Sequence, residues 1–557
     1  MPDSTKVNRY HELGLVCHDR GERYWLSQTS AQPLGASLRT VKPTAPDSLE
    51  QILLHGRVDT PSGDWFLPRD LLLQSRDTGL VAHALSNCHN LHLPDQETAH
   101  MASKICGSSI DPEQSFIRIF TLLVIMEQVE SIQDFIRLNI KDASLPLQGV
   151  LQGQAASDLS NVFIGWKRHS SEYFSRHQYG VIAPFFARPD GIPPHYVFTK
   201  LDVLPFRSLK QISADDDDIP SVMFGGYGGF SDVSCIEIHQ SNHGFRDWSS
   251  KHQDGNNSFA LKRLKPHNFD SFKQEVLALT KVRKTTHIIQ LLATYEIDST
   301  YHMIFPLAKG DIHRFWSIVE NRVQLAPWMV TQMAGLTEAL SVIHDGNTES
   351  NGQNGDITYG RHGDIKAANV LWFSEGNHPG TLVLTDFGLS DYHQEISRSR
   401  TKAELLAYSP TYSGPEFDAP GGLISRKSDI WSLGCLFLEF VTWYLLGKQA
   451  ALDEFAEFRA ELDKSGFDND VFFRRVGKDC IEVKPQVITW ISRLRNQHSC
   501  LAYLRKLLDI IEHQMLVVDR DKRASSSELS AQLNLMSTEM QAKQILQDGT
   551  DTSGSLS

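Results

Sequence analysis

His362-Gly363-Asp364-Ile365-Lys366-Ala367-Ala368-Asn369-Val370-Leu371 is the stretch on which the fold of this chain turns. A turn-forming His-Gly pair leads into an Asp. A Lys and then an Asn follow within the next five positions, and the apolar run Val370, Leu371, Trp372, Phe373 comes after them. Downstream, Leu382-Val383-Leu384-Thr385-Asp386-Phe387-Gly388 reads as a short buried strand that ends in an Asp at a Gly-hinged turn. Two carboxylates and an Asn at the ends of neighbouring strands suit a metal-phosphate site, because Mg²⁺ takes oxygen ligands and is held by one or two carboxylates plus substrate phosphates. Asp364 is then placed to orient a hydroxyl nucleophile, and Lys366 to neutralise charge on a transferring phosphoryl group.

Composition bounds the classes. The 557 residues are enough for two or more domains, and 41% hydrophobic with 22% charged residues is a globular mixture. A formal charge of -13 argues against a general nucleic-acid binder, whose field is positive. The seven cysteines show no Cys-x-x-Cys spacing, so reduced thiols and an intracellular, cytoplasmic or nuclear, location are expected. The N-terminus has no apolar signal core, and the apolar stretch Ile119 to Met126 is too short to span a bilayer, so no membrane span is expected.

The first 210 residues carry no catalytic motif and are expected to form a mostly helical N-terminal domain. Phe116, Phe120, Val124, Val129, Ile132, Phe135 and Ile136 recur at helical spacing within Ser115 to Ile140. Aromatics from Phe163 to Phe198 are expected to fill a second, mostly helical core, with a ligand or partner groove as the alternative. Cys88 and the neighbouring histidines lack the second matched pair a zinc site needs. Residues 211–220, with Asp215-Asp216-Asp217-Asp218 and Pro220, read as an acidic linker. Like charges repel in a packed state, and the alternative is docking of this run on a basic patch of the part that follows.

From residue 221 to 536 the remaining motifs occur in order. Gly226-Tyr227-Gly228-Gly229-Phe230-Ser231-Asp232-Val233 is a glycine-rich loop whose backbone can approach phosphates closely. Phe259-Ala260-Leu261-Lys262 reads as a strand. Phe272, Val276 and Leu279 give a helix with Glu275 on its apolar face, and a carboxylate there needs a cation, with Lys262 the natural partner. Residues 287–295 and 301–307 read as two further strands. Asp429-Ile430-Trp431-Ser432-Leu433-Gly434 opens a nearly all-apolar helix, which must be buried.

This ordered set resembles the eukaryotic-type protein kinases, with Asp364 in their catalytic loop and Asp386-Phe387-Gly388 as their metal-binding motif. A weaker resemblance links the whole chain, with its helical N-terminal extension, to fungal kinase-like proteins. The resemblance implies an α+β bilobal fold, with a β-rich N-lobe and a helical C-lobe. It implies ATP and Mg²⁺ as cofactors and a protein Ser or Thr hydroxyl as acceptor. Asp364, Lys366, Lys262 and Glu275 take the catalytic roles, and Asn369 and Asp386 hold the metal. Gly226, Gly228, Gly229, Ser231, Val233, Ala260, Lys262, Phe305, Pro306 and Ala308 line the nucleotide site, with Phe305 as gatekeeper. Pro306 C=O and Ala308 N–H serve the adenine.

The segment His393 to Tyr408, with Ser397, Ser399 and Thr401, corresponds to the activation loop, and Ser409 to a Thr near the catalytic Asp. Asp429 matches the family's buried brace of the catalytic loop, and Arg523 the partner of Glu416. Ser231 stands where a third Gly is usual, Gly414 where Ala is usual, and Gly363 where an Arg normally reads activation-loop phosphorylation. His-Gly-Asp is shared with small-molecule kinases of the aminoglycoside and choline type. Lys366, the Gly-Pro-Glu segment and the Asp429 helix favour a protein substrate of the serine/threonine class. A module that holds nucleotide without turnover is the remaining alternative. Intramolecular docking of the N-terminal part and a disordered polar tail at 537–557 complete the expectations.

Overall fold

The computed structural model describes residues 16–18, 48–108, 113–148, 162–211, 231–246, 257–265, 269–282, 285–320, 323–345, 358–375, 378–386, 391–394, 401–402, 411–418, 423–462, 468–477 and 480–553. The glycines at 226, 228 and 229, the residues Phe387 and Gly388, and Ser397, Ser399 and Ser409 lie outside them.

The N-terminal region is built on α1 (Leu49–Gly56), α2 (Thr78–Ser86), α3 (Asp95–Cys106), α4 (Ile117–Ile125) and α5 (Arg168–Val181). Ser48 caps α1 through a reciprocal box with Gln51. The stripe expected over Ser115 to Ile140 is divided. After α4 the chain passes through Glu127 at φ 54° and re-enters helix at Ile132–Arg137. Buried Asp142 holds the start of α4 by accepting hydrogen bonds from the Ser115 hydroxyl at 2.7 Å and the Arg118 and Ile119 amides at 3.1 Å each. Leu53, Val81, Ile105, Phe120, Phe135 and Phe174 meet in one apolar core.

This region is more than a helical domain ahead of a linker. It also contributes β1 (Val16–His18), β2 (Pro194–Phe198) and β3 (Phe206–Gln211) to a seven-stranded sheet. The other strands are β4 (Ser231–Ile238), β5 (Ser258–Leu264), β6 (Ala293–Ile297) and β7 (Thr300–Pro306), in spatial order β1-β2-β6-β7-β5-β4-β3. β3 pairs antiparallel with β4, Lys210 opposite Cys235, so the acidic run connects two adjacent strands of one sheet. The division expected at 211–220 does not separate two folded units, because backbone hydrogen bonding joins its two sides. At the other end of the sheet β2 runs parallel to β6, with β1 paired outside it. Further bonds tie the region to the loop after β4: Phe186 N–H donates to Asn242 O at 2.9 Å, and Gly244 N–H to Phe186 O at 2.8 Å.

One helix, α6 (Phe269–Val282), lies on this sheet. The helical half follows, with α7 (Ala326–Asp345), α8 (Arg426–Leu446) and α9 (Ser526–Ser553), and β8 (Thr358–Arg361), β9 (Val370–Glu375), β10 (His378–Leu384) and β11 (Asp391–Gln394) at the junction. α8 is long and apolar enough to cross a bilayer, but most of it is buried in the protein core. α9 runs on through Ser553, where composition alone predicts a disordered tail. Leu529, Leu533 and Met536 anchor its early turns.

Arg523, with a fully buried side chain, grips Glu416 through two parallel bonds of 2.8 and 2.7 Å. Burial pushes the Glu416 carboxyl up, but the Arg523 hydrogen bonds and charge outweigh it and hold the group below its ordinary value. The pair therefore stabilises the fold above the ordinary carboxylate range, and its contribution disappears as pH falls through the depressed folded value. Glu416→Gln is expected to cost about 3 kcal/mol at neutral pH. In denaturant titrations that difference should shrink steadily below about pH 4; a difference independent of pH contradicts the assignment.

Candidate active site

Lys262 lies on β5, between Val233 of β4 and Met303 of β7 in the sheet register. Its side chain is almost completely buried, and its ammonium donates to Glu275 Oε1 at 2.7 Å and Oε2 at 3.0 Å. A third carboxylate oxygen, Asp386 Oδ1, lies 3.1 Å away. Burial alone pushes the Lys262 amine down; Asp386 and Glu275 outweigh burial and hold it above its ordinary value, so it is cationic. Glu275 reaches this point because Phe272, Val276 and Leu279 bury the same face of α6.

Asp386 lies two residues beyond the end of β10 with φ 63°, a left-handed conformation that a non-glycine residue adopts at a cost and that concentrates at functional sites. The preceding peptide is fixed on both sides. Thr385 N–H donates to Asn369 O at 3.0 Å, and the buried His362 ring nitrogen Nε2 lies 3.1 Å from Thr385 O. The strand carrying Asp386 is thus tied to the loop carrying Asp364.

That loop hangs from Asp429, near the start of α8. Asp429 accepts the backbone N–H groups of His362 and Gly363 at 2.9 Å each, and His344 Nε2 lies 2.8 Å from its Oδ2. Burial pushes the Asp429 carboxyl up, and the His344 hydrogen bond with the surrounding cationic groups more than reverses this, holding it below its ordinary value. Gly363 adopts φ 86°, so glycine suits the turn that aims both amides at one carboxylate. Asp364 follows. Its Oδ2 receives Lys366 Nζ at 2.8 Å and Asn369 Nδ2 at 2.9 Å, and Asn369 Nδ2 also donates to Asp364 O at 2.8 Å. A pocket opens beside Asp364, lined by Gly363, Ile365, Tyr412, Ser413 and Phe417.

Asn369 is fully buried, and its Oδ1 has no hydrogen-bond partner among the described residues. A buried amide oxygen left unmatched needs a ligand. With its Nδ2 committed to Asp364, this oxygen keeps its lone pairs uncommitted among the described residues, and the oxygen donors of Asn369 and Asp386 are the hard type that Mg²⁺ takes. The residues present therefore fit the ion that the sequence motif implies.

The other expected positions fall as follows. Ala260 and Phe305 face one another across β5 and β7 and are buried. Pro306 ends β7, Ala308 is buried just beyond it, and Val233 is half-buried on β4. Ser231 begins β4. Two contributors escaped the sequence reading. His344 and the His362 ring hold the loop, and their signal was faint: polar rings next to apolar runs. The other is β2, whose period-two run Pro194-His195-Tyr196-Val197-Phe198 between prolines and a Thr-Lys turn was a readable strand signal.

Comparison with known proteins agrees with this geometry. The family model for the protein kinase domain matches residues 248–533, just over half of the chain. The chain belongs to the protein kinase family. Four strands of the sheet that holds its site, β1 to β4, precede the match. A G-type lectin S-receptor-like serine/threonine-protein kinase SD1-1 of Arabidopsis thaliana is 27% identical over 245 residues, 43% of this chain and 26% of that relative. Salt tolerance receptor-like cytoplasmic kinase 1 of Oryza sativa is 29% identical over 248 residues, 42% of this chain and 59% of that relative. Serine/threonine-protein kinase KIC1 of Saccharomyces cerevisiae is 27% identical over 173 residues, 31% of this chain and 14% of that relative. The matched region thus spans less than two thirds of each of these relatives.

The Lys262–Glu275 pair is testable without any assay of turnover. A double-mutant cycle with Lys262→Met and Glu275→Gln in denaturant titrations should give a coupling of about 2 kcal/mol, since Lys262→Met strands the buried Glu275 and Glu275→Gln leaves Lys262 with Asp386 alone. A coupling under about 1 kcal/mol, as for an exposed pair, contradicts the arrangement.

Proposed function

We propose that this chain is a protein serine/threonine kinase that transfers the γ-phosphoryl group of ATP to a Ser or Thr hydroxyl with Mg²⁺ present. The observation that carries the reading is the Asp364–Lys366–Asn369 cluster, bonded at 2.8–2.9 Å beside an open pocket, in a protein kinase family chain whose Lys262–Glu275 pair is formed. Asp364 orients the incoming hydroxyl and accepts its proton as the oxygen attacks the γ-phosphorus and the bond to the β-phosphate oxygen breaks, releasing ADP. Lys366, held against Asp364, offsets charge gathering on the transferred group. Lys262, fixed by Glu275, binds the remaining phosphates. The adenine would meet the Pro306–Ala308 strand end, where the Pro306 carbonyl and the Ala308 amide are the acceptor and donor available to it. Asn369 and Asp386 would hold Mg²⁺, whose charge neutralises phosphate oxygens.

The acceptor reading is supported by Lys366, two residues after Asp364, and by the Tyr412–Ser413 segment braced beside the pocket. Tyr412 OH donates to Glu439 at 2.6 Å, and Ser432 Oγ to Tyr412 O at 2.8 Å. Purified protein with Mg-ATP and generic protein substrates should form phosphoserine or phosphothreonine, and Asp364→Asn should lower the rate by at least about a hundredfold. Chelating the metal should abolish transfer. Nucleotide binding without transfer under these conditions overturns the reading in favour of a binding module.

Gly363 also carries a regulatory reading. Gly363 and not Arg stands immediately before Asp364, so no cation at that position awaits an activation-loop phosphate and turnover is expected not to depend on one. Ser397→Ala, Ser399→Ala and Thr401→Ala are each expected to keep kcat within about twofold. A loss beyond about tenfold (1.4 kcal/mol of barrier) contradicts this.

A further inference from the structure

β2 reaches the catalytic helix from outside the family-matched region. It runs parallel to β6, with His195 opposite Thr294 and Val197 opposite Glu296. Strand alternation sends its side chains two ways. Tyr196 and Phe198 enter an aromatic cluster with Phe186, Phe206 and Tyr295 on one face of the sheet. His195 and Val197 enter the other face, where α6 lies. His195 is fully buried, its Nδ1 is 2.8 Å from Thr294 Oγ1, and its ring centroid is 5.8 Å from that of Phe272. Ile192 and Val197 pack against the same core that holds Phe272, Val276 and Leu279. Phe272 is also stacked on Tyr301, with centroids 4.7 Å apart. It sits less than one helical turn before Glu275 and on the same buried face.

The chain of contacts is therefore continuous: His195 to Phe272, one turn of α6 to Glu275, Glu275 to Lys262, and Lys262 to Asp386. Without β2 the sheet ends at β6, and this flank of α6 faces water. A helix carrying a buried carboxylate needs its rotation fixed, because a shift of about 1 Å at a reacting site costs on the order of a hundredfold in rate. We propose that β2 is a built-in clamp on α6, with His195 as its positioning residue, and that the region preceding the catalytic sheet holds the site in its assembled state. Its effect is activating, the opposite sign to a domain that docks to close the site. The turnover arm of the test rests on the kinase reading; the exchange arm does not.

The test uses the full chain with His195→Ala, which removes both the ring contact and the Thr294 bond, and His195→Asn, which keeps a polar atom near Thr294. Amide hydrogen exchange is read across α6 and, as an internal reference, across α8. The clamp predicts exchange about tenfold faster across α6 in His195→Ala, an intermediate effect in His195→Asn and no change across α8. It also predicts a kcat about tenfold lower, with the KM for the protein substrate within about twofold, since that substrate meets the helical half. Val197→Ala, a milder change, carries the same pattern at about threefold if His195→Ala does not fold. Unchanged α6 protection overturns the proposal, and so does equal loss across α6 and α8, which marks a strand that only adds stability. Absence of turnover in the unmodified protein refutes the kinase reading, and the exchange comparison still decides the clamp.

Discussion

The buried ion pair between Lys262 and Glu275 is the interaction on which the structure depends. Both side chains are almost wholly removed from water, each at a desolvation cost of several kcal/mol. That cost is offset only while the two stay within hydrogen-bond distance and Asp386 supplies a further acceptor. Lys262 is fixed by the middle of a sheet, but Glu275 is carried by a helix that rests on it. Everything that holds the helix against the sheet therefore holds the pair. This includes the apolar face of α6, the stacked Tyr301 and the strand β2 that broadens the sheet under it.

A second buried carboxylate does for the helical half what Glu275 does for the sheet. Asp429 gathers the His362 and Gly363 amides and the His344 ring on the start of an all-apolar helix, which fixes the loop carrying Asp364, Lys366 and Asn369. Thr385 donates its N–H to Asn369 O and its carbonyl lies against the His362 ring, so Asp386 is positioned from the loop that Asp429 holds and paired by Lys262 of the sheet. The Asn369 oxygen, without a hydrogen-bond partner among the described residues, lies at this junction. Its neighbouring nitrogen is satisfied twice, which makes the gap a property of the site and not of a loosely packed loop.

The catalytic half was legible because its signals are local and chemically unusual. A Lys in an apolar strand, a Glu on an apolar helical face and a carboxylate at a glycine turn each break the pattern around them, and each break names a partner. Arg523 and Glu416 were reached through the family resemblance alone. The sheet edge was not legible in the same way. Four adjacent aspartates signal a solvated connection, and that signal is identical for a linker and for the connection between paired strands. Phe206 to Gln211 alternates weakly and gains its identity only from pairing with Ser231–Ile238. β2 offered a clearer run, but nothing local says that its neighbour is a strand about a hundred residues later. The last helix was missed for a related reason: polar composition predicts disorder, while Leu533 and Met536 anchor it through packing that composition does not encode.

The central claim is that the two buried clusters form one metal-phosphate site. Calorimetric titration of a non-hydrolysable ATP analogue into the full chain, with and without Mg²⁺, tests it most directly. The account predicts tight binding that depends on the metal, with the metal-dependent part lost in Asn369→Ala and in Asp386→Asn. Binding of equal strength without Mg²⁺, or binding that neither substitution alters, would contradict it.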